Sequence, residues 1–211
     1  MELLLIFSTA AVVFCQEQPP SINDKPSYAR WMVESLDWGT LSTLSTMNHV
    51  SGSPFGNPVS FASNHGVPYM CVSPLDQSIQ DLFADARVSL SMSEAQFGNY
   101  SSCLIPSGDP ENPPCARLSI SGVFENVTDP NEWQIAKQVL TAKHPSFENF
   151  CFSSDDSFHH FFLAKINIYQ VWLINMYGGA SFITPSQYYN VTKNQEESNL
   201  SSSSSSTLII N

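Results

Sequence analysis

Positive charge is scarce in this chain. Only 8 of its 211 residues are Lys or Arg, against 19 Asp or Glu, which gives a formal net charge of −11 at pH 7. Proteins that bind nucleic acid neutralise phosphates with clusters of Lys and Arg, and the sequence contains no such cluster. The composition therefore argues against direct nucleic-acid binding.

The sequence motifs of common enzymes are also missing. There is no phosphate-binding P-loop, no GxGxxG, no GxSxG and no HExxH, and the cysteines lack the spacing of a zinc site. The best polar cluster is Asp155-Asp156-Ser-Phe-His159-His160. Adjacent residues of a strand point to opposite faces, so we interpret this cluster as a surface loop leading into a strand, without a metal.

The other candidates for chemistry are interpreted as structural. His65 lies in a predicted turn, His144 at a predicted helix end and His49 in a predicted loop. Cys71 lies in an apolar strand, where a buried thiol is usually inert. The sequence therefore predicts no catalytic residue and no metal ligand.

Long apolar runs are missing too, apart from one at residues 3–14. This run is shorter than the roughly 20 residues that a membrane-spanning helix needs. Its length, and the small residues Val13 and Cys15, fit a signal peptide over residues 1–15, followed by a flexible N-terminus over 16–26. The alternative is an N-terminal core helix or a retained anchor. We predict a protein without a membrane span, in the secretory pathway.

Four Asn-x-Ser/Thr sequons follow this predicted signal peptide, at Asn99, Asn126, Asn190 and Asn199. Such sequons are acceptors for N-glycosylation in a secreted chain. Asn126 and Asn190 are favoured because Thr stands at their third position, and Asn199 lies in the predicted tail. We therefore predict a secreted glycoprotein.

Four cysteines remain after the predicted signal peptide: Cys71, Cys103, Cys115 and Cys151. In an oxidising compartment Cys103 and Cys115 are the natural pair, because the proline-rich segment between them cannot continue a helix or a strand. Cys71 and Cys151 either form a second bridge or stay as buried thiols, and the sequence leaves both outcomes open.

The apolar pattern predicts an α+β domain over residues 27–192, followed by a disordered Ser-rich tail over 193–211. Helices are predicted at 27–36, 73–84, 130–143 and from 185, and strands at 37–47, 58–62, 67–72, 87–92, 116–127, 158–168 and 169–177. A loop is predicted at 52–57, and turns at 63–66 and 178–179. The strands alternate in polarity, which favours an antiparallel barrel over a doubly wound sheet.

Several ordered segments resemble the CREG family of secreted glycoproteins. They are DWGTLSTLST at 37–46, GVPY at 66–69, IAK at 135–137, HP at 144–145, FFLAKINI at 161–168, YGG at 177–179 and TPSQYYNVT at 184–192. The resemblance implies an FMN-binding split β-barrel like that of pyridoxine-phosphate oxidase, an antiparallel Greek-key barrel with peripheral helices, and a homodimer. It also implies a non-catalytic glycoprotein with secreted and lysosomal pools. Such a protein acts in growth control or differentiation through a cell-surface or glycan receptor, such as the mannose-6-phosphate type.

The alternative function is that of an FMN-dependent oxidoreductase. Related oxidases hold the cofactor's phosphate with Arg and Lys at two places. Here the first place reads Gly56-Asn57-Pro58-Val59-Ser60 and the second reads Asp76-Gln77-Ser78-Ile79, with no cation in either. Arg87 matches a basic residue common in the oxidases, but one cation cannot replace the clamp. We therefore predict a chain without a flavin or any other cofactor.

Overall fold

The computed structural model describes residues 18–100, 103, 109–153 and 158–191. The predicted signal peptide and Ser-rich tail lie outside this part of the chain. The first helix, α1 (Lys25–Ser35), starts at Asp24, whose carboxylate accepts a hydrogen bond from the Ser27 amide at 3.2 Å. A proline in the first turn assists this start, since its ring pre-sets the helical φ.

Eight antiparallel strands form one sheet within the described residues. They are β1 (Trp38–Leu44), β2 (Pro54–Ser60), β3 (Ala62–Asn64), β4 (Val67–Val72), β5 (Arg87–Ser93), β6 (Arg117–Asn126), β7 (Phe162–Ile174) and β8 (Ser181–Ile183). The strand order is β2-β1-β5-β6-β7-β4-β3, and β8 pairs with the second half of β7. The long strand β7 therefore joins the two halves of the sheet.

The other helices lie around this sheet. They are α2 (Gln77–Ala84), α3 (Pro130–Lys143), α4 (Phe147–Phe150) and α5 (Pro185–Tyr189), with a 3-10 segment at Glu94–Tyr100. Helix α5 has a complete capping box, in which Thr184 and Gln187 each satisfy a backbone amide of the other. None of the helices in the described ranges is long and apolar enough to cross a membrane.

Two apolar clusters hold these elements together. The larger lies on the inner face of the sheet, where alternate residues of β1, β5, β6 and β7 meet α1; it includes Met32, Leu41, Leu90, Leu118, Ile120, Ile166 and Val171. The smaller lies beneath α3 and includes Tyr69, Ala136, Leu140, Phe147 and Leu163. Lys143 links α3 to α1, because its ammonium group donates to the carbonyls of Glu34 and Leu36, each at 2.7 Å.

The predicted loop at 52–57 is wrong in its second half, because β2 begins at Pro54. This strand pairs with β1 along its whole length, from Leu44↔Pro54 to Trp38↔Ser60. Proline is tolerated because β2 is an edge strand, whose outer side needs no ladder hydrogen bonds. Pairing with β1, and not local propensity, makes this segment a strand.

The predicted turn at 63–66 is shorter in the structure. Ser63 and Asn64 belong to β3, and the turn narrows to His65 and Gly66, with φ of 48° and 77°. Two consecutive positive φ values are the geometry of the tight hairpin turn that matches strand twist. Helix α2 likewise begins at Gln77 and not at residue 73, after the cap provided by Asp76. Strand β8 has no counterpart in the prediction.

The two strands predicted at 158–168 and 169–177 are one continuous strand, β7. The register with β6 shifts between Ser121↔Gln170 and Gly122↔Ile168, so Tyr169 is an extra residue on β7. Such a β-bulge reverses which face later residues occupy. The alternation of apolar residues changes phase at this residue, which is why the sequence pattern indicates a break.

Two disulfides join cysteines within the part of the chain that the structure describes. Cys103 is bonded to Cys115, and Cys71 of β4 is bonded to Cys151, which directly follows α4. The second bond decides between the two outcomes that the sequence left open, and it removes Cys71 from consideration as a nucleophile.

Candidate functional site

The two places at which the oxidases carry their cationic clamp meet in this structure. The Asn57 amide on β2 donates to the Asp76 carboxylate, at 3.1 Å to Oδ2 and 3.4 Å to Oδ1. The same amide lies 3.2 Å from the Ser78 hydroxyl in the first turn of α2. A neutral amide, a hydroxyl and a carboxylate therefore occupy this place.

Asp76 also caps α2. Its Oδ1 accepts a hydrogen bond from the Ser78 amide at 2.7 Å, in the standard N-cap arrangement. The positive end of a helix is a natural site for an anion such as phosphate. Here the chain's own carboxylate interacts with that end. The residues at this place do not fit the phosphate group of flavin mononucleotide, because they offer no cation and already hold a negative charge.

Arg87 does not compensate for the missing clamp. Its guanidinium forms an ion pair with Asp85, with Nε 2.9 Å from Oδ1, and 73% of its side chain is exposed. Hydrogen bonds from Arg87 lower the pKa of Asp85 to about 2. The charge of Arg87 is therefore already paired at neutral pH.

A buried carboxylate anchors α2 from behind. Asp81 is fully buried and accepts hydrogen bonds from the Thr43 hydroxyl, the Thr46 amide and hydroxyl, and the Gln77 amide, all at 2.7–2.8 Å. Burial by itself would raise the pKa of Asp81, but these hydrogen bonds outweigh it and lower the pKa below its ordinary value. The Asp81 carboxylate therefore holds α2 against the end of β1.

The histidines have the local roles that the sequence suggested, where the structure describes them. His49 and His65 adopt positive φ in turns, and His144 ends α3 and donates from Nε2 to the Phe61 carbonyl at 2.9 Å. His160 also has positive φ, whereas Asp155 and Asp156 lie outside the described residues. No group of three or more His, Cys, Asp or Glu in the described ranges could hold a metal ion.

Two of the four predicted glycosylation sites can be placed. Asn126 ends β6 and Asn190 follows α5, and both are exposed. Asn199, and the side chain of Asn99, lie outside what the structure describes. A glycan on either exposed residue would extend into solvent without disturbing the core.

The outward face of the sheet centre is rich in small hydroxyl side chains. Thr40 and Ser42 of β1, Ser89 and Ser91 of β5, and Ser119 and Ser121 of β6 alternate with buried apolar residues. Two pairs touch across the strands, with hydroxyl oxygens 3.0 Å apart for Ser89 and Ser121 and 3.1 Å apart for Ser91 and Ser119. The result is a surface of small uncharged side chains at these positions.

The same face contains a groove that the sequence alone does not predict. Trp38, Arg117 and Trp172 line it, although they are far apart in the chain. Each stands at an outward position of its strand, and the cross-strand pairs Ser119↔Trp172 and Thr40↔Ser91 bring β1, β5, β6 and β7 into line. The alternation of polar and apolar residues places each of the three on the outward face of its strand. Only the order of the strands in the sheet shows that they lie side by side.

Comparison with known proteins places the chain among described families. Residues 20–190 match the family described as "CREG, beta-barrel". The chain is 35% identical to Protein CREG1 of Homo sapiens over 178 residues, which cover 82% of this chain and 77% of that protein. It is 33% identical to Protein CREG1 of Gallus gallus over 198 residues, covering 90% and 98%. It is 32% identical to Protein CREG2 of Homo sapiens, covering 81% and 58%.

Solved structures share the architecture. A heme binding protein from Mycobacterium smegmatis superposes with a TM-score of 0.60 at 24% identity, over 76% of this chain and 58% of that one. ChuZ of Campylobacter jejuni superposes with a TM-score of 0.57 at 14% identity, over 82% and 63%. Identities this low show the fold alone. The fold that these structures share with the chain confirms the predicted α+β class and the split β-barrel.

Proposed function

The chain belongs to the CREG family, and on that premise we propose that it is a secreted or lysosomal glycoprotein that acts in growth control or differentiation by binding a receptor. In this proposal residues 1–15 are a cleaved signal peptide, residues 27–192 form the split-barrel domain and residues 193–211 are a tail. The protein carries out no flavin chemistry, and its relatives are named as proteins and not as enzymes.

The observation that carries the non-catalytic part of the proposal is the Asn57–Asp76 contact. A flavin phosphate brings about two negative charges and would meet the Asp76 carboxylate at the start of α2. The phosphate and the Asp76 carboxylate would repel each other, and Asn57 supplies only a neutral amide. The alternative function, an FMN-dependent oxidoreductase, would need a cation at one of these positions.

A flavin titration tests this part. We expect wild-type protein to leave the fluorescence of flavin mononucleotide unquenched, and the double variant Asn57→Arg/Asp76→Lys to quench it. The matched control is Asp129→Lys, which removes the equivalent N-cap of α3 and should bind no flavin. Stoichiometric quenching by wild-type protein would contradict the proposal and favour the oxidoreductase.

We also propose a homodimer that forms through the outward sheet face. The hydroxyl side chains on this face are small and uncharged, and large exposed rings flank them: Phe182 of β8 is 70% exposed, and Tyr169 of β7 is 61% exposed. Phe182 lies directly opposite Trp172 in the β7–β8 ladder. Surfaces with exposed aromatic residues and few charges are typical of subunit contacts.

Light scattering after size exclusion measures this directly. Wild-type protein should elute with the mass of two chains at micromolar concentration. Phe182→Asp should reduce the mass to that of one chain, because the substitution would bury a carboxylate in the contact. Ile135→Asp is the matched control, since Ile135 is an exposed residue on helix α3 and not on the strands that form this face, and it should leave the mass unchanged. A wild-type monomer would refute the dimer.

The proposed receptor recognises the glycans, as the mannose-6-phosphate type does, or the protein surface. Asn126 and Asn190 are the described exposed attachment sites that such a receptor would meet. Protein from animal cells should bind to cell surfaces and be displaced by mannose 6-phosphate, and Asn126→Gln/Asn190→Gln should bind more weakly. Binding that is insensitive to both treatments would assign recognition to the polypeptide.

A further inference from the structure

The groove on the outward sheet face has the dimensions of a small-molecule site. Its volume is about 520 Å³, within the range of about 300–1,000 Å³ that is typical of ligand pockets. Trp38 and Trp172 provide apolar walls, and Gln96 and Arg117 add polar groups. An apolar cleft with a few polar groups is the usual make-up of a binding site.

Two residues that line this groove each have a buried side-chain atom without a hydrogen-bond partner. These atoms are Nε of Arg117, a donor, and Oε1 of Gln96, an acceptor, and they are two of only three such side-chain atoms in the described residues. The Gln96 amide is oriented by the bond from its Nε2 to the Trp38 carbonyl at 3.0 Å. Leaving such atoms unsatisfied costs free energy, so a ligand around which these two side chains rearrange and pair would be favoured at this place.

Arg117 is also exceptional among the cations. Within the described ranges, the other Lys and Arg side chains hydrogen-bond or pair with neighbours: Lys25 with Asn175, Arg30 with Glu34, Arg87 with Asp85, Lys137 with Glu148, Lys143 with Asp37 and Lys165 with Glu132. Arg117 has no such partner. In a chain with 19 acidic residues, an unpaired guanidinium in an apolar groove is best explained by an acid that comes from outside.

We propose that this groove binds a flat, largely apolar molecule that carries one acidic group, of the aromatic carboxylate or sulfonate class. The acid pairs with the Arg117 guanidinium, and the apolar body lies against Trp38 and Trp172. The groove is distinct from the Asn57–Asp76 contact, so this binding does not depend on a phosphate clamp.

A pair of fluorescent probes that differ in charge tests the proposal. The anionic probe is 8-anilinonaphthalene-1-sulfonate, and its neutral counterpart is N-phenyl-1-naphthylamine. Folded wild-type protein should bind the anionic probe saturably, with one probe per chain. Arg117→Gln should weaken the anionic probe about tenfold or more, since it removes a charge-assisted hydrogen bond, and should leave the neutral probe nearly unchanged.

Two further variants test whether a change in affinity comes specifically from the charge of Arg117. One removes a different arginine, and the other removes part of the apolar wall of the groove. Arg87→Gln, which removes an exposed arginine from neighbouring β5, is the matched control and should bind both probes like wild type. Trp172→Leu should weaken both probes, because it removes part of the apolar wall. Near-UV circular dichroism verifies that each variant is folded.

The groove lies on the face that we propose for the dimer contact, so molecular mass is measured with each titration. Loss of anionic-probe affinity in Arg117→Gln at unchanged mass supports the site. Saturable, Arg117-dependent binding by a monomer would support the site while refuting the dimer. Equal affinity of wild type and Arg117→Gln for the anionic probe, or no saturable binding by folded wild-type protein, would overturn the proposal.

Discussion

At the scale of single residues, a few polar side chains hold loops and helices against the sheet. Asp81 is the clearest case, because one buried carboxylate receives four hydrogen bonds from the end of β1 and from α2. Each of these bonds is made to a charged acceptor, which makes it stronger than a bond between neutral groups. The position of α2, and with it the Asn57–Asp76 contact, depends on this carboxylate.

We expect Asp81→Asn to lower the free energy of unfolding by about 3 kcal/mol at neutral pH, because an amide cannot accept all four hydrogen bonds. The pKa of Asp81 in the folded state lies below its ordinary value of 3.8. The stabilisation from the charged form is therefore complete above that pH and is lost as the pH falls through the lowered pKa. Urea unfolding should show a gap between wild type and variant that is constant near pH 7 and narrows below about pH 3.8. A gap that widens with acid would contradict this assignment.

The sequence alone shows which residue stands at each position, but it does not show which residues meet in the fold. The absence of cations at 56–60 and 76–79 could be read directly. The hydrogen bond from Asn57 to Asp76 could not, because the two are 19 residues apart and meet only when β2 and α2 are adjacent. The same holds for Arg117, whose lack of a partner is a property of the folded surroundings.

At the scale of elements, alternation of polar and apolar residues was a good guide wherever it was regular. Strands β1, β5 and β6 were predicted to within a few residues, since one face of each packs on the core. β7 was divided in two because its bulge at Tyr169 shifts the alternation. β8 is three residues long, too short to establish a period.

The bulge depends on a close approach at Gly122. A Cβ atom at this position would lie 2.0 Å from the carbonyl oxygen of Asn167 on β7, which is far inside contact distance. Gly122→Ala should therefore destabilise the protein by at least about 3 kcal/mol or prevent folding, by the cost of overpacking. Thermal unfolding measures the effect.

The neighbouring variant Ser121→Ala is the control for that measurement. It loses only the hydroxyl contact with Ser89 on the exposed face and should cost less than about 1 kcal/mol. Similar melting temperatures for the two variants would show that β7 can shift away from Gly122, and the bulge would then not be a fixed feature.

At the scale of the whole molecule, the two disulfides differ in what they enclose. Cys71 and Cys151 are separated by 80 residues, whereas Cys103 and Cys115 are separated by 12. In the chain-entropy treatment, closing the longer loop stabilises the fold by about 4.5 kcal/mol and the shorter by about 3 kcal/mol. Cys71→Ala/Cys151→Ala should therefore lose more stability than Cys103→Ala/Cys115→Ala in denaturant unfolding. The reverse order would show that native-state contacts of the 103–115 loop outweigh its length.

Glycosylation is a further prediction at this scale. Expression in animal cells should give a product that becomes smaller on treatment with an N-glycosidase. Asn126→Gln and Asn190→Gln should each remove one step of that shift, since both residues are exposed and have Thr at the third sequon position. A product whose mass is unchanged by the enzyme would refute the predicted glycans.

The contact between Asn57 and Asp76 also bears on how this protein could change by descent. A single Asn57→Arg substitution would place its cation beside the Asp76 carboxylate, so the two would neutralise each other and leave little charge for a phosphate. A single Asp76→Lys substitution would remove the cap of α2 and put a positive charge at the positive end of the helix. Each step alone brings a cost or no gain, and only the pair would create a clamp. Gaining phosphate binding through these two positions would therefore require both substitutions together, because neither is favourable alone.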